Sequence, residues 1–304
     1  MESESFWELH CRESWGTAMM KEFPISTALA ALGIACVASL TPGSVLAQHA
    51  ATPLGPATWG NPNQPWGVRR AITNADRALI DSYRSGHRQP VLKEDFTNPA
   101  ELETSWMLQS DDNPGLKSCR RPENVVITSN ELQLRTLDAT GCHAKWSTGS
   151  MISKEHQKYG FFEARMKIAD ISGLNNAFWL VTTDRYEIDI AEVHYPNDIR
   201  LTLHNNNNWA TEKDDKMHAV GFDSKFADNF SQDYHDYGVL WTPTDIIFEV
   251  DGEPTAAIAT NGSIKEAADI RFSTAVTEFG GKIPANPAGH HMYVRSLRVF
   301  SYEE

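Results

Sequence analysis

Three carboxylates crowd into six residues of the stretch YEIDIAEVHY, from Tyr186 to Tyr195: Glu187, Asp189 and Glu192, with apolar residues between them. The stretch reads as a half-buried β-strand, where like charges repel and a lone buried carboxylate is costly. Alternation puts Glu187 and Asp189 on one face and Ile188 and Ile190 on the other. Glu192 has the opposite parity, so an unbroken strand would carry it to the isoleucine side. A single β-bulge near Ala191 restores the parity and gathers all three acids on one face. Glu187 and Glu192 then stand about four pleats apart, roughly 13 Å between backbones. Two glutamate side chains leaning together close most of that gap. What remains is close to the ~5–5.5 Å at which one carboxyl can attack an anomeric carbon while the other protonates the departing oxygen. Crowded anions would raise the pKa of the proton donor, and Asp189 can hold the attacking carboxylate in orientation. Two plainer readings stand beside this one. A calcium cluster would use oxygen ligands, although three side chains on one strand cannot surround the ion. A solvated acidic strand face would do no chemistry at all.

The elements around this strand are short and alternating. From Val91 onward, runs such as NVVIT, ELQLRTL, KWSTGSMIS, GFFEARMKIA, NAFWLV, IRLTLH, YGVLW, IIFEVDG and MYVRSLRVFSY are separated by Gly, Asn, Asp and Pro. Ten or more such strands with almost no helical period predict an all-β fold, a jelly-roll sandwich of two curved antiparallel sheets over residues 91–304. Asp251-Gly252 after IIFEV predicts a hairpin. The tract Asn205 to Asn208 reads as a loop. Before Val91, residues 48–90 form an arm dense in Pro, Gly and Asn, then one short helix. Thr73 or Asn74 could cap that helix, with Ile72, Leu79, Ile80 and Tyr83 at helical spacing before Gly86.

Residues 1–47 read as a leader. Met20-Lys21 precedes an apolar block from Ile25 to Leu40, then TPGS and Val45-Leu46-Ala47, the pattern of a secretory signal cleaved after Ala47. The acidic segment before Met19 reads as an over-extended start. Cleavage removes Cys11 and Cys36 and leaves Cys119 and Cys142, which predict one disulfide in an exported protein; two buried free thiols are the alternative. The formal charge of −13 becomes −10 once five acids and two bases leave with residues 1–47. An acidic surface excludes nucleic acid as a natural partner and favours a neutral substrate. The body of the chain has no run long enough to span a membrane, and a monomer is expected.

The motif E-I-D-I-A-E resembles the active-site signature of family 16 glycoside hydrolases, in the branch with a bulged E-x-D-x-x-E. The likeness extends over Trp146 to Lys167, Asn176 to Leu180, Tyr234 to Gly252 and the closing MYVRSLRVFSY, or roughly Val91 to Tyr302. It implies that Glu187 is the nucleophile, Asp189 the assisting acid and Glu192 the general acid/base. It matches His204 to a histidine neighbouring the acid/base, and Trp179 to an aromatic floor under the sugar; core packing is the alternative for Trp179. Trp146, His194, Tyr195 and Trp209 are further cleft candidates, because aromatic faces stack on sugar rings. Trp241 and Phe248 match core positions, and Trp106 is unassigned.

The sequence departs from the family pattern in two places. Many members carry an aspartate in the closing strand that helps bind a structural calcium. Tyr293-Val294-Arg295 offers arginine there, so no metal is expected, and no cofactor is implied. The laminarinase wording, with Trp-Pro before the catalytic strand, is absent, and the lead-in TTDRYE with FWL is closer to galactan-cleaving branches. The resemblance therefore implies a secreted endo-acting hydrolase of β-linked glucan or galactan, working with retention of configuration. A transglycosylase with the same residues and a non-catalytic carbohydrate-binding sandwich are the alternatives.

Overall fold

Alternation resolves into two large β-sheets packed face to face in a computed structural model, which describes residues 53–60, 63–208 and 218–303. The first sheet has eight strands. Their spatial order is Pro53–Gly60, Ala219–Phe226, Asp198–Asn205, Tyr186–His194, Leu174–Thr182, Ala268–Val276, Ser150–Ser153 and Trp106–Leu108. The second is built around Gly160–Lys167, flanked by His235–Trp241 and Met292–Ser301. The strands of the first sheet carry alternating side chains: Phe178, Leu180, Ile188, Ile190, Leu201, Leu203 and Phe272 point inward. They meet Phe162, Tyr237, Val239, Trp241, Phe248 and Val299 from the second sheet in one core. Trp241 and Phe248 are fully buried, as expected, and Trp106 joins the same core beside Phe96 and Phe272. Among the described residues, no helix is long and apolar enough to cross a membrane.

Turn chemistry does what the sequence predicts at Asp251-Gly252, where both residues take positive φ, 53° and 87°, as a two-residue hairpin loop requires. The run KWSTGSMIS is less simple than one strand. Trp146–Thr148 belongs to a small three-stranded sheet, and Ser150–Ser153 crosses into the eight-stranded one. Gly149 sits at the crossing, where a Cβ would lie 2.7 Å from the Asn124 carbonyl oxygen. The small sheet also holds Cys119, disulfide-bonded to Cys142 with Cα atoms 6.4 Å apart.

The helix Asn74–Arg84 forms where expected, with Thr73 as N-cap and Asp76 completing a capping box. Ile80 and Tyr83 bury against Phe161, Leu240, Ile247 and Ala257, on the face of the second sheet away from the core. A second helix, Pro99–Ser105, was not expected. Asn98 caps it and Pro99 occupies its first turn, a start signal hidden by the brevity of the helix. The arm is more ordered than its composition suggests. Pro53–Gly60 pairs with Ala219–Phe226 at the edge of the eight-stranded sheet, and Gly67–Arg70 pairs with Glu253–Ala259 in the other. The leader, residues 1–47, lies outside the described residues.

Candidate active site

The strand Tyr186–His194 contains the expected bulge. Against its neighbour on one side, Asp189 pairs with Thr202 but Glu192 pairs with Arg200. On the other side, Ala191 pairs with Phe178 and Asp189 with Trp179. Ile190 and Ala191 thus share the place of one residue. Ile188, Ile190, Ala191 and Val193 all enter the core, while Glu187, Asp189 and Glu192 share the opposite face. The apolar residues drive this arrangement: without the extra residue, Glu192 would be buried in place of Ala191.

Each carboxylate has its own partner. Asn206 donates from Nδ2 to Glu187 Oε2 at 3.0 Å, Asn175 donates from Nδ2 to Glu192 Oε1 at 2.7 Å, and His204 Nε2 lies 3.1 Å from Asp189 Oδ2. Burial raises both glutamates, and the charge of Asp189 raises them further. Glu192 reaches about 8 and Glu187 about 7. His204 favours the charged form of both, with Asn206 and Arg271 adding to this at Glu187 and Asn175 at Glu192. Burial alone would lower His204, but the hydrogen bond and charge of Asp189, with Glu187 and Glu192 beyond, raise it to about 9. His204 is therefore an imidazolium paired with Asp189 and standing across from Glu187. Its charge also reaches Glu192. Glu187, Asp189 and His204 offer ligand atoms within 4.8 Å of one another.

The floor beside the carboxylates is aromatic and cationic. Trp179 lies on the outward face, donates from Nε1 to Ser273 Oγ at 3.1 Å, and carries the Arg271 guanidinium 4.7 Å from its ring. Arg271 is itself held by Asp269 at 2.9 Å. On the other side, Trp59 reaches in from the edge strand with its ring 5.7 Å from His204. Arg200 bridges Trp59 at 5.7 Å and Phe279 at 4.4 Å. His194 follows Glu192 on the same face and meets Phe279 edge-on at 4.6 Å.

Tyr195 and Trp146 lie elsewhere. Tyr195 packs against the main core, because alternation gives it the parity of Val193. Trp146 packs beside Ala169, Leu174 and Val276 on the small sheet. Trp209 lies outside the described residues. Sequence reasoning missed Asn175, Asn206, Arg271, Trp59, Arg200 and Phe279. Only parity could have found Asn175 and Arg271, which share a face with Trp179 and the carboxylates. Asn206 sat in plain view in a tract read as a loop.

The sequence profile of glycosyl hydrolases family 16 matches residues 115–293. The chain belongs to family 16. Among family 16 relatives, it is 30% identical over 147 residues to a β-glucanase of Acetivibrio thermocellus, covering 46% of this chain and 42% of that protein. It is 30% identical over 126 residues to β-agarase AgaB34 of Agarivorans albus, covering 36% and 27%. The κ-carrageenase of Pseudoalteromonas carrageenovora is 27% identical over 185 residues, covering 49% and 46%. The chain therefore spans less than half the length of each. The catalytic domain of an endo-1,3-β-glucanase from Thermotoga petrophila superposes with a TM-score of 0.64 at 16% identity, covering 71% of this chain and 99% of that one. The fold is thus the all-β jelly roll of family 16.

Proposed function

We propose that the chain is an endo-acting hydrolase of a β-linked polysaccharide, glucan or galactan, working by double displacement with retention. The observation that carries this reading is the pair of glutamates gathered with Asp189 on one face of a bulged strand, both raised above the usual carboxylate range by burial and by Asp189. In the first step, Glu187 attacks the anomeric carbon as the glycosidic bond breaks, and Glu192 gives its proton to the departing oxygen. In the second, Glu192 takes a proton from water, whose oxygen displaces Glu187. Burial, and then the charge of Asp189, keeps Glu192 protonated, and Asp189 is itself paired with His204. Trp179 provides an apolar face for a sugar ring next to the cut bond. The acidic chain, at −13 overall, favours a neutral polymer.

The test is release of reducing ends from a panel of lichenan, laminarin, agarose and κ-carrageenan. Glu187→Gln should lose at least about 10³-fold in kcat, and proton NMR of the first product should show the β anomer. Binding without turnover by the wild-type protein would sink the reading, and so would an initial α anomer. We also infer export. The apolar block Ile25–Leu40 and the Cys119–Cys142 bond both suit an oxidising compartment. Mass spectrometry of the protein recovered from the culture medium should find a chain beginning at Gln48. An intact leader on a cytoplasmic protein would contradict this.

A further inference from the structure

Beside Glu192 runs a short series of hydrogen bonds that the double displacement does not use. Asn175 stands on the outward face of the neighbouring strand and donates from Nδ2 to Glu192 Oε1 at 2.7 Å. Its Oδ1 lies 3.1 Å from His194 Nε2. His194 is 4% exposed, held edge-on by Phe279 at 4.6 Å, and Arg200 covers Phe279 at 4.4 Å. An asparagine amide can present either its oxygen or its nitrogen to a carboxyl group. Here the imidazole decides. Burial and then the charge of Arg200 lower His194 to about 4, so the ring is neutral in the working range. We assign the tautomer protonated at Nε2, which donates to Asn175 Oδ1 at 3.1 Å and leaves Nδ2 facing Glu192, satisfying both contacts.

We propose that Asn175, oriented by His194, is a positioning residue that selects which oxygen of Glu192 carries the catalytic proton. This rests on Glu192 being the general acid/base. The carboxyl oxygen that accepts from an amide behaves as the carbonyl oxygen of the protonated group, so the proton sits on Oε2. The same bond fixes the rotation of the carboxyl group, and with it the direction of the O–H. Asn175 exchanges no proton with the substrate; the proton passes from Oε2 to the departing oxygen, and water later restores it. The charged and titratable groups facing Glu192 are Glu187, Asp189 and His194 on its own strand. His204 and Arg200 face it from the strand on one side, with Asp223 one strand beyond. Asn175 and then Arg271 lie on the other side.

The experiment compares kcat/KM for a polysaccharide with kcat/KM for a 2,4-dinitrophenyl oligosaccharide, whose leaving group needs no protonation. In Asn175→Ala, the polysaccharide value should fall about 10- to 100-fold, while the dinitrophenyl value changes less than about threefold. The basic limb of the pH profile should move to higher pH, because a donor that favours the charged form is gone. His194→Ala should repeat the pattern more weakly, and thermal melting checks that each variant folds. Equal losses on both substrates with an unmoved basic limb would reduce Asn175 to packing and overturn the proposal. Carbon NMR titration of Glu192 is independent of turnover. An upward shift in Asn175→Ala supports the proposal and an unchanged value refutes it, even if the polysaccharide panel yields no activity.

Discussion

Glu187 and Glu192 are chemically identical side chains five residues apart, and their neighbours give them different work. Both are raised by burial and by Asp189 and eased by His204; Glu187 also has Asn206 and Arg271, and Glu192 has Asn175. The pair therefore titrates in two macroscopic steps, near 7 and near 8. The active form has one proton, on Glu192. It appears as pH rises through the lower step and disappears through the upper one. kcat/KM should thus trace a bell with its maximum between the two values, measurable from pH 5 to 10 in constant-ionic-strength buffers. Asp189→Asn removes the charge that raises both groups, so both limbs should move to lower pH and the rate should fall about 100-fold. Limbs that stay in place would mean that Asp189 acts on neither glutamate. The same raised values bear on stability. A carboxyl whose folded pKa is raised contributes stability below its unfolded pKa, and this is lost as pH rises through the folded value. Glu192→Gln should accordingly melt higher than wild type at pH 8, and the difference should close near pH 4.

At the scale of elements, the eight-stranded sheet sets out its chemistry in rows across the strands. Trp59, Gly221, Thr202, Asp189, Trp179 and Arg271 are successive cross-strand partners. Gly221 lies between Trp59 and Thr202, and a Cβ there would come within 2.8 Å of Thr202 Oγ1. The edge strand Pro53–Gly60 thereby extends the floor three strands beyond Asp189, and Trp59 offers a second aromatic face for a sugar chain. Trp59→Ala should raise KM about 10-fold for long chains, with little change for the shortest cleavable oligosaccharide. A loss independent of chain length would mean that Trp59 only shields His204. This strand was the least legible part of the sequence, because Pro, Gly and Asn obscure a strand whose pairing is non-local. The bulge, by contrast, could be read from the parity of Glu192 alone, since burying the carboxylate would have cost more than the kink. Asn175, Arg200 and Phe279 act through strand register and a loop return, neither of which local spacing encodes.

The whole sandwich is gripped on the side away from the active site, and Arg84 is the centre of that grip. The helix Asn74–Arg84 lies on the outer face of the second sheet, and its last residue pairs with Glu163 and with Asp236 at 3.1 Å. It also stands 3.8 Å from Glu249, whose side chain is fully buried. Gly238 leaves the room: a Cβ there would meet Glu249 Oε1 at 2.2 Å. Burial raises Glu249 to about 8, against the pull of Arg84 and the Gly252 N–H. Arg84→Ala leaves three carboxyl groups without the cation they share and should cost about 3 kcal/mol near neutral pH, read from urea denaturation. The sign with pH follows from linkage. Glu249 holds its proton when folded and releases it near 4.5 when unfolded, so its contribution is full below that value and fades through 8. Removing Arg84 raises the folded value further and carries that decline on beyond pH 8. The deficit of the variant should therefore be level from about pH 5 to 7 and widen above pH 8. The retained activity of its folded fraction would separate this grip from the catalytic face. A deficit that does not vary with pH would mean that Arg84 holds the helix by packing alone.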